Sequence, residues 1–367
     1  MADRYPTSVP YRQRTDGYNT YRIPAAVVTK AGTVLAFAEG RHASAGDSGH
    51  IDVVLRRSTD GGRTWGPLQV VATESRRGTA GNPAPVALAD GRIVLVFVRQ
   101  GPQATEDKIR RGQVPADAGR RVFVQVSSDD GATWPAPREI TGSVKRSEWR
   151  WYATAPGHAV ALRSGRIVVP ANHSLPPSGA DNGTEGKYNG GHGLLSDDGG
   201  QTWRIGYVDD NPDGYVNVNE TTATELPDGR LYLNTRTEST APGTRADAYS
   251  ADGGQTLLLP FRPQAGLVGP VVEGSTLWCS SPDVLLFSGP AAPDARALMT
   301  VRASDDLGVT WRVAHTVSGL PAAYSDLVRV DGDTVGLLFE TGDFGPYESI
   351  AFRRLPIAEL AARPDQR

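Results

Sequence analysis

Apolar positions along this chain fall in short runs, most of them announced by a Gly-bearing polar turn. AGTVLAFAE (31–39), DGRIVLVFV (90–98), SGRIVVPAN (164–172), DGRLYLNTR (228–236) and GDTVGLLFE (332–340) share that form. Runs this short, rich in branched and aromatic residues, predict β-strands rather than helices. A further short β-rich run follows each of the first four: DVVLRR, VFVQV, HGLL and ADAY. No apolar run approaches the ~18 residues of a membrane helix, and the start, MADRYPTSVPYRQ, has no apolar leader core. The expectation is a chain with no signal peptide and no membrane partner, cytoplasmic unless a leader has been trimmed from a secreted form.

An octapeptide punctuates these strands. STDGGRTW (58–65) returns as SSDDGATW (127–134), SDDGGQTW (196–203), SADGGQTL (250–257) and SDDLGVTW (304–311), the fourth ending in Leu257 instead of Trp. Successive Ser positions lie 69, 69, 54 and 54 residues apart, the spacing of one supersecondary unit per repeat. Ser and Asp side chains hydrogen-bond a tight turn, Gly supplies positive φ, and Trp brings an indole to bury. Nothing in the box moves protons or electrons; it is architecture.

The module is strand 1, Gly turn, strand 2, loop, strand 3, box turn, strand 4. At about 60 residues it matches a four-stranded propeller blade and divides the 367 residues into roughly six. The expected fold is all-β, a six-bladed β-propeller of four-stranded antiparallel blades, with residues 1–367 as a single domain. The sixth blade combines the strand ending at Glu340, the run SIAFRRL (349–355) and the N-terminal segment. Two long stretches, 101–119 and 174–191, fall between strands 2 and 3, where functional loops belong.

Composition adds few constraints. Net charge is −3, so no field favours nucleic acid, and a monomer is expected. Only four of the 38 basic residues are Lys; Arg is the better ligand for planar oxyanions. Cys279 is alone, which rules out an internal disulfide. The six His (42, 50, 158, 173, 192, 315) show no HxxxH-type spacing and are taken as structural, so no metal is expected. The sequons NHS (172–174) and NGT (182–184) are read as chance, and Trp149 and Trp151 as either pocket or core.

Antiparallel order sorts the polar residues by end. Starts of strand 1 (Arg22, Asn82, Glu220, Tyr324), ends of strand 2 (Glu39, Arg41, Arg99, Arg236, Glu340) and the loop residue Asp47 all fall at the mouth opposite the boxes.

YRIP (21–24) ahead of five ordered boxes resembles the exo-α-sialidases (neuraminidases) of the six-bladed kind, over nearly the whole chain. LAFAEGR (35–41), the Glu220…Arg236 pair and AYSDL (323–327) agree with that resemblance. It implies that Arg22 and Arg236 belong to an arginine triad gripping the carboxylate of a sialic acid. Arg296 and Arg302 compete for the third place. Arg302 lies two residues before the box Ser304, near the far end of its strand, whereas Arg296 begins that strand at the mouth, and the family's spacing to the nucleophile also favours it. Tyr324 resembles the nucleophile, Glu220 its proton acceptor, Asp47 the general acid/base, and Glu340 the residue that orients Arg22. Glu39, Arg41 and Asn82 match pocket-lining positions. The implied substrate is a sialic-acid-containing glycan, hydrolysed with retention and without cofactor or metal. The resemblance leaves three other outcomes open: a hydrolase of a related nonulosonic acid such as the deaminated form, a trans-sialidase, and a non-catalytic sialic-acid-binding propeller. Family members from mammals carry tyrosines where this chain has ANHS (171–174), so the preferred sugar is not fixed.

A sialic acid carries its carboxylate on the anomeric carbon. Guanidiniums bind that group by charge-assisted hydrogen bonds, while the same negative charge repels a carboxylate nucleophile. A phenol approaches neutral, which accounts for the departure from the two-carboxylate scheme of most glycosidases.

Overall fold

Each box is held by the same four hydrogen bonds. In the first, the Ser58 hydroxyl donates to Asp60 Oδ1 (2.7 Å) and accepts from Gly62 N (2.8 Å), and Thr64 donates its amide and hydroxyl to the two Asp60 oxygens at 2.9 and 2.6 Å. Asp129, Asp198, Asp252 and Asp306 repeat the arrangement. Gly62 has φ 83°, and a Cβ there would sit 2.1 Å from the Phe352 ring, so conformation and packing both require glycine. The turn is closed by its own residues, which is why it recurs unchanged in five contexts.

The computed structural model describes residues 5–75, 77–176, 189–210, 216–237 and 243–363. Their strands form six blades. Blade 1 comprises Thr20–Val28, Val34–Arg41, Ile51–Ser58 and Gln69–Ala72; blade 2 comprises Thr79–Ala87, Ile93–Gln100, Arg121–Ser127 and Arg138–Glu139. In blade 3 the inner strand is split into Tyr152–Thr154 and Val160–Ala161, followed by Ile167–Ser174, Asn189–Ser196 and Arg204–Asp209. Blade 4 is Val218–Glu225, Leu231–Thr237, Thr244–Ser250 and Arg262–Val268; blade 5 is Ser275–Cys279, Val284–Pro290, Met299–Ser304 and Arg312–Thr316. Blade 6 is Ala322–Arg329, Thr334–Thr341 and Ser349–Pro356, completed by the N-terminal strand Thr7–Arg12. Blades 1 and 2 are joined into one sheet by a single parallel pair, Ile51 with Thr79.

Six apolar clusters lie between neighbouring blades and close the ring. Phe37, Leu55 and Phe97 pack between blades 1 and 2, and Val96, Ile167 and Trp203 between blades 2 and 3. Leu195 with Leu233, Tyr232 with Leu285, Leu286 with Leu337, and Leu338 with Ala36 continue the series around to blade 1. Every blade therefore buries both faces, which removes the alternation of a one-sided sheet and explains the near-continuous apolar strands.

The strand–turn pattern corresponds to these elements with one exception. The run 332–340 follows the fifth box and belongs to blade 6. The second strand of the fifth-box blade is Val284–Pro290, whose turn is built on Ser281–Pro282, with Ser281 at φ 58°, and so lacks the Gly signal. Of the long stretches, 101–119 carries a short helix, Glu106–Arg110, capped by the Thr105 hydroxyl. Residues 177–188 of the second, including the sequon at Asn182, lie outside the described residues.

Candidate active site

Four inner strands carry a register shift at the same level. It lies between Arg22 and Ala25 in blade 1, Gly81 and Ala84 in blade 2, Val218 and Thr221 in blade 4, and Ala322 and Ser325 in blade 6. In each, two residues of the inner strand oppose one on the next strand. Asn219 and Glu220 face Arg236, and Ala323 and Tyr324 face Glu340. A bulge re-aims side chains. Here the shifts turn strand ends toward the mouth, where a cavity of about 610 Å³ opens.

The floor of that cavity is a three-residue contact. Tyr324 donates its hydroxyl to Glu220 Oε1 at 2.5 Å, and Arg236 Nη1 donates to Glu220 Oε2 (2.9 Å) and to the Tyr324 oxygen (3.1 Å). The Arg22 guanidinium carbon lies 5.1 Å and that of Arg296 5.8 Å from the centre of the same phenol ring. Three guanidiniums thus surround one tyrosine. Glu340, fully buried, accepts from Arg22 Nε (2.8 Å), Arg22 Nη2 (3.2 Å), Ile23 N (2.9 Å) and Tyr324 N (3.2 Å), tying the first arginine to the tyrosine's backbone. Arg296 is steered by Tyr347, whose hydroxyl accepts from Nη1 at 2.6 Å. Arg302 takes no part in the cavity: it is buried and donates to Val268 O at 2.7 Å.

One side wall is a chain of ion pairs. Arg41 donates Nε and Nη2 to Glu39 Oε2 (3.0 and 2.6 Å) and Nη1 to Asp47 Oδ1 (2.8 Å). Glu39 Oε1 accepts from Asn82 N at 2.8 Å, and Asn82 Oδ1 accepts from Arg120 Nη1 at 2.8 Å. Asp47 also stands 3.9 Å from Arg22, with its side chain 64% exposed at the rim. Arg22, Glu39, Arg41, Asp47, Asn82, Glu220, Arg236, Arg296 and Tyr324 therefore meet around a single cavity, with Glu340 directly behind it.

Arg120, Asn172, Asn189, Trp151 and the helix residues Glu106 and Arg110 complete the lining. From sequence, Trp151 is open between pocket and core and 101–119 is a functional loop, whereas Arg120, Asn172 and Asn189 are not singled out as site residues. Arg120 and Asn189 stand at or next to starts of third strands, so the rule that placed Asp47 and Arg296 also applies to them. The long 101–119 connection supplies the helix. Arg99, expected at the mouth, turns away from the cavity: alternation puts it on the same face as Phe97, toward blade 1, and its guanidinium lies 4.8 Å from the Phe123 ring. Of the two tryptophans, Trp151 lines the cavity, under Arg120 at 4.0 Å, while Trp149 is buried against His173. Asn172 of the first sequon is 2% exposed and faces the cavity instead of the surface.

Comparison with known proteins gives the family of the chain. A family model described as BNR repeat-like domain matches residues 32–337. An exo-alpha-sialidase of Arthroderma benhamiae is 31% identical over 382 residues, covering 95% of this chain and 86% of that protein. The chain belongs to the sialidase family. A sialidase of Micromonospora viridifaciens is 34% identical over 349 residues; the match covers 89% of this chain but only half (50%) of that longer protein. Among solved structures, the Hadza microbial sialidase Hz136 superposes with a TM-score of 0.82 at 26% identity, covering 96% of this chain and 68% of that one. The intramolecular trans-sialidase of Ruminococcus gnavus shares the fold, with a TM-score of 0.78 at 17% identity over 97% of this chain and 99% of that one.

Electrostatics of this sialidase-family site depend on burial and on the arginines. Burial pushes the Tyr324 phenol well above its ordinary value; the Glu220 charge adds to this, while Arg236 and Arg22 oppose it. Burial works against the charge on Arg22, but Glu340 more than offsets it and holds the guanidinium charged. Burial also raises Asp47, yet Arg41 and then Arg22 prevail and keep its carboxyl below the usual range. Arg120, desolvated and only partly offset by Glu39, is pushed down to about 10. The cavity thus offers a neutral phenol with a proton acceptor in contact, cations for a carboxylate, and a rim carboxylate open to solvent.

Proposed function

We propose that this chain is a retaining exo-α-sialidase, hydrolysing terminal sialic acids from glycans. The observation that carries the reading is the 2.5 Å contact between the Tyr324 hydroxyl and Glu220 beneath three converging arginines. Arg22, Arg236 and Arg296 take the sugar carboxylate, which directs the anomeric carbon toward Tyr324. The phenol oxygen attacks that carbon while its proton passes to Glu220, so free phenolate, disfavoured here by burial, never accumulates. Asp47 protonates the departing glycosidic oxygen, then as a carboxylate takes a proton from the water that cleaves the tyrosyl intermediate. Two inversions at one carbon give net retention. Glu39, Arg41, Asn82 and Glu340 position the groups that touch substrate. A binding-only propeller would not need Tyr324, Glu220 and Asp47 facing one cavity, and their convergence supports catalysis.

Proton NMR of product released from matched α-sialosides, one with a C5 acetamido group and one with a C5 hydroxyl, tests this reading. Free α-anomer should appear first and mutarotate later, and Tyr324→Phe should lower turnover by more than ~10³-fold with unchanged thermal stability. First appearance of the β-anomer, transfer without hydrolysis, or unchanged turnover in Tyr324→Phe would each defeat it.

A further inference from the structure

The loop that carries Asp47 leaves blade 1 at His42 and returns at His50, and these two residues pair, His42 N donating to His50 O at 3.1 Å. Their rings stack at 3.7 Å with a 10° tilt. Two residues into the returning strand, Asp52 faces both: its Oδ2 is 3.0 Å from His42 Nε2, and its Oδ1 is 3.8 Å from His50 Nε2. One donor atom from each of the three residues falls within 4.8 Å of the other two. The spacing His-x₇-His-x-Asp is not helical and carries no local signature; hairpin pairing creates the cluster. Among the described residues it is the one such group of three or more His, Cys, Asp or Glu.

Asp52 is positioned as an oriented ligand. It pairs with Gly40, where a Cβ would collide with the Tyr18 ring at 2.7 Å, and through that opening the Tyr18 hydroxyl donates to Asp52 Oδ2 at 2.8 Å. The carboxylate is only 6% exposed, and its Oδ1 has no hydrogen-bond partner. A buried carboxylate oxygen without a donor is costly; this one faces the His50 imidazole, and the His50 and His42 side chains are 31% and 33% exposed, open to an ion from solvent. Tetrahedral coordination at about 2.0–2.1 Å puts ligand atoms roughly 3.3–3.4 Å apart. The observed separations, 3.0 Å from His42 to Oδ2 and 3.8 Å from His50 to Oδ1, lie to either side of that spacing, so a small rotation of the carboxylate or the rings would bring one oxygen and both nitrogens to it. Two imidazoles and a carboxylate suit zinc and its first-row neighbours, whereas calcium and magnesium demand more oxygen ligands. The parallel rings need only tilt for both lone pairs to converge. Arg77 is the neighbouring cation that opposes an incoming charge, and the Asp52 charge acts against it.

We propose that His42, His50 and Asp52 bind one zinc-type divalent cation, which clasps the base of the Asp47 loop from outside the cavity while Arg41 holds it from inside. Tyr18 serves as the outer partner that fixes the carboxylate, as second ligand layers do in zinc proteins. A solvent water fills the fourth position. None of these four residues lines the cavity, so the site stands or falls separately from the glycosidase reading.

The test uses the full chain without an affinity tag, stripped with chelator and titrated with cobalt(II), then zinc. One equivalent of cobalt should give the visible absorption of a four-coordinate ion, and zinc should bleach it. Zinc should also raise the thermal midpoint and slow amide exchange in residues 43–49. His42→Ala and His50→Gln should each abolish the absorption and the zinc-induced shift, read against each variant's own metal-free melting temperature, because loss of the His42 contact to the buried Asp52 carboxylate lowers that baseline. Absence of the cobalt band, or its persistence in both variants, overturns the site. Unchanged exchange at 43–49 in the zinc-loaded protein overturns the clasp.

Discussion

Glu340→Gln gives the sharpest test of how the cavity is held. Each Glu340 oxygen accepts two donors: Oε1 from Arg22 Nε and Ile23 N, Oε2 from Arg22 Nη2 and Tyr324 N, at 2.8–3.2 Å. A glutamine has one carbonyl oxygen. Whichever side it serves, its amide group confronts two N–H donors on the other, and Arg22 loses its counter-ion. Both partners are essentially dry, with side-chain exposures of 6% and 0%, so solvent cannot make good the loss. Breaking a buried pair of this kind costs about 3–5 kcal/mol, and each buried donor left unmet contributes about 1–3 kcal/mol within that total. Urea unfolding of parent and variant at one pH, with comparison of slopes as well as midpoints, measures the loss. Binding of free sialic acid, followed on the same samples, should weaken as Arg22 is released. A destabilisation below about 1 kcal/mol would mean that the pair behaves like an exposed one, and the view of Glu340 as the anchor of Arg22 and Tyr324 would be refuted.

Three other outcomes follow from the geometry. Arg296→Ala should raise KM for a sialoside by at least ~10-fold, the loss of one charge-assisted contact, while Arg302→Ala should leave KM unchanged and lower the melting temperature; the reverse order would move the third arginine. Asp129→Ala should cost about 0.5–2 kcal/mol, as for a lost cap, without changing kcat, since the boxes lie at the end away from the cavity. Hydrogen bonds from the Thr133 hydroxyl and amide, followed by Ser127, hold Asp129 down at about 2. Its share of stability should therefore be complete above the unfolded value near pH ~4 and disappear as pH falls toward 2. Arg41 and Arg22 hold the Asp47 carboxyl below its usual range in the free protein, whereas the proposed mechanism requires it to carry a proton when the leaving group departs. Substrate binding at neutral pH should therefore take up a proton and weaken as pH rises, visible as calorimetric heats that depend on the buffer's ionisation enthalpy. Asp47→Asn should remove that dependence.

What the sequence alone determined is what short-range contacts decide. The boxes are closed by hydrogen bonds among eight consecutive residues, and in the first four box-bearing blades the second strand begins at a Gly turn, so both are visible without neighbours. Strand order identified one end of the molecule as the mouth and, together with the family resemblance, preferred Arg296 to Arg302. The tertiary structure decided the rest, because it depends on ring closure and on bulges whose phase no local pattern encodes. A single-residue shift turns Glu220 and Tyr324 inward, while ordinary alternation turns Arg99 outward. Closure brings Arg120 and Asn189 into one cavity with Arg296 and Tyr324, more than a hundred positions away, and hairpin pairing sets His42, His50 and Asp52 together. Hydrogen bonds between near neighbours leave a mark in sequence; contacts that exist only once six sheets surround an axis do not.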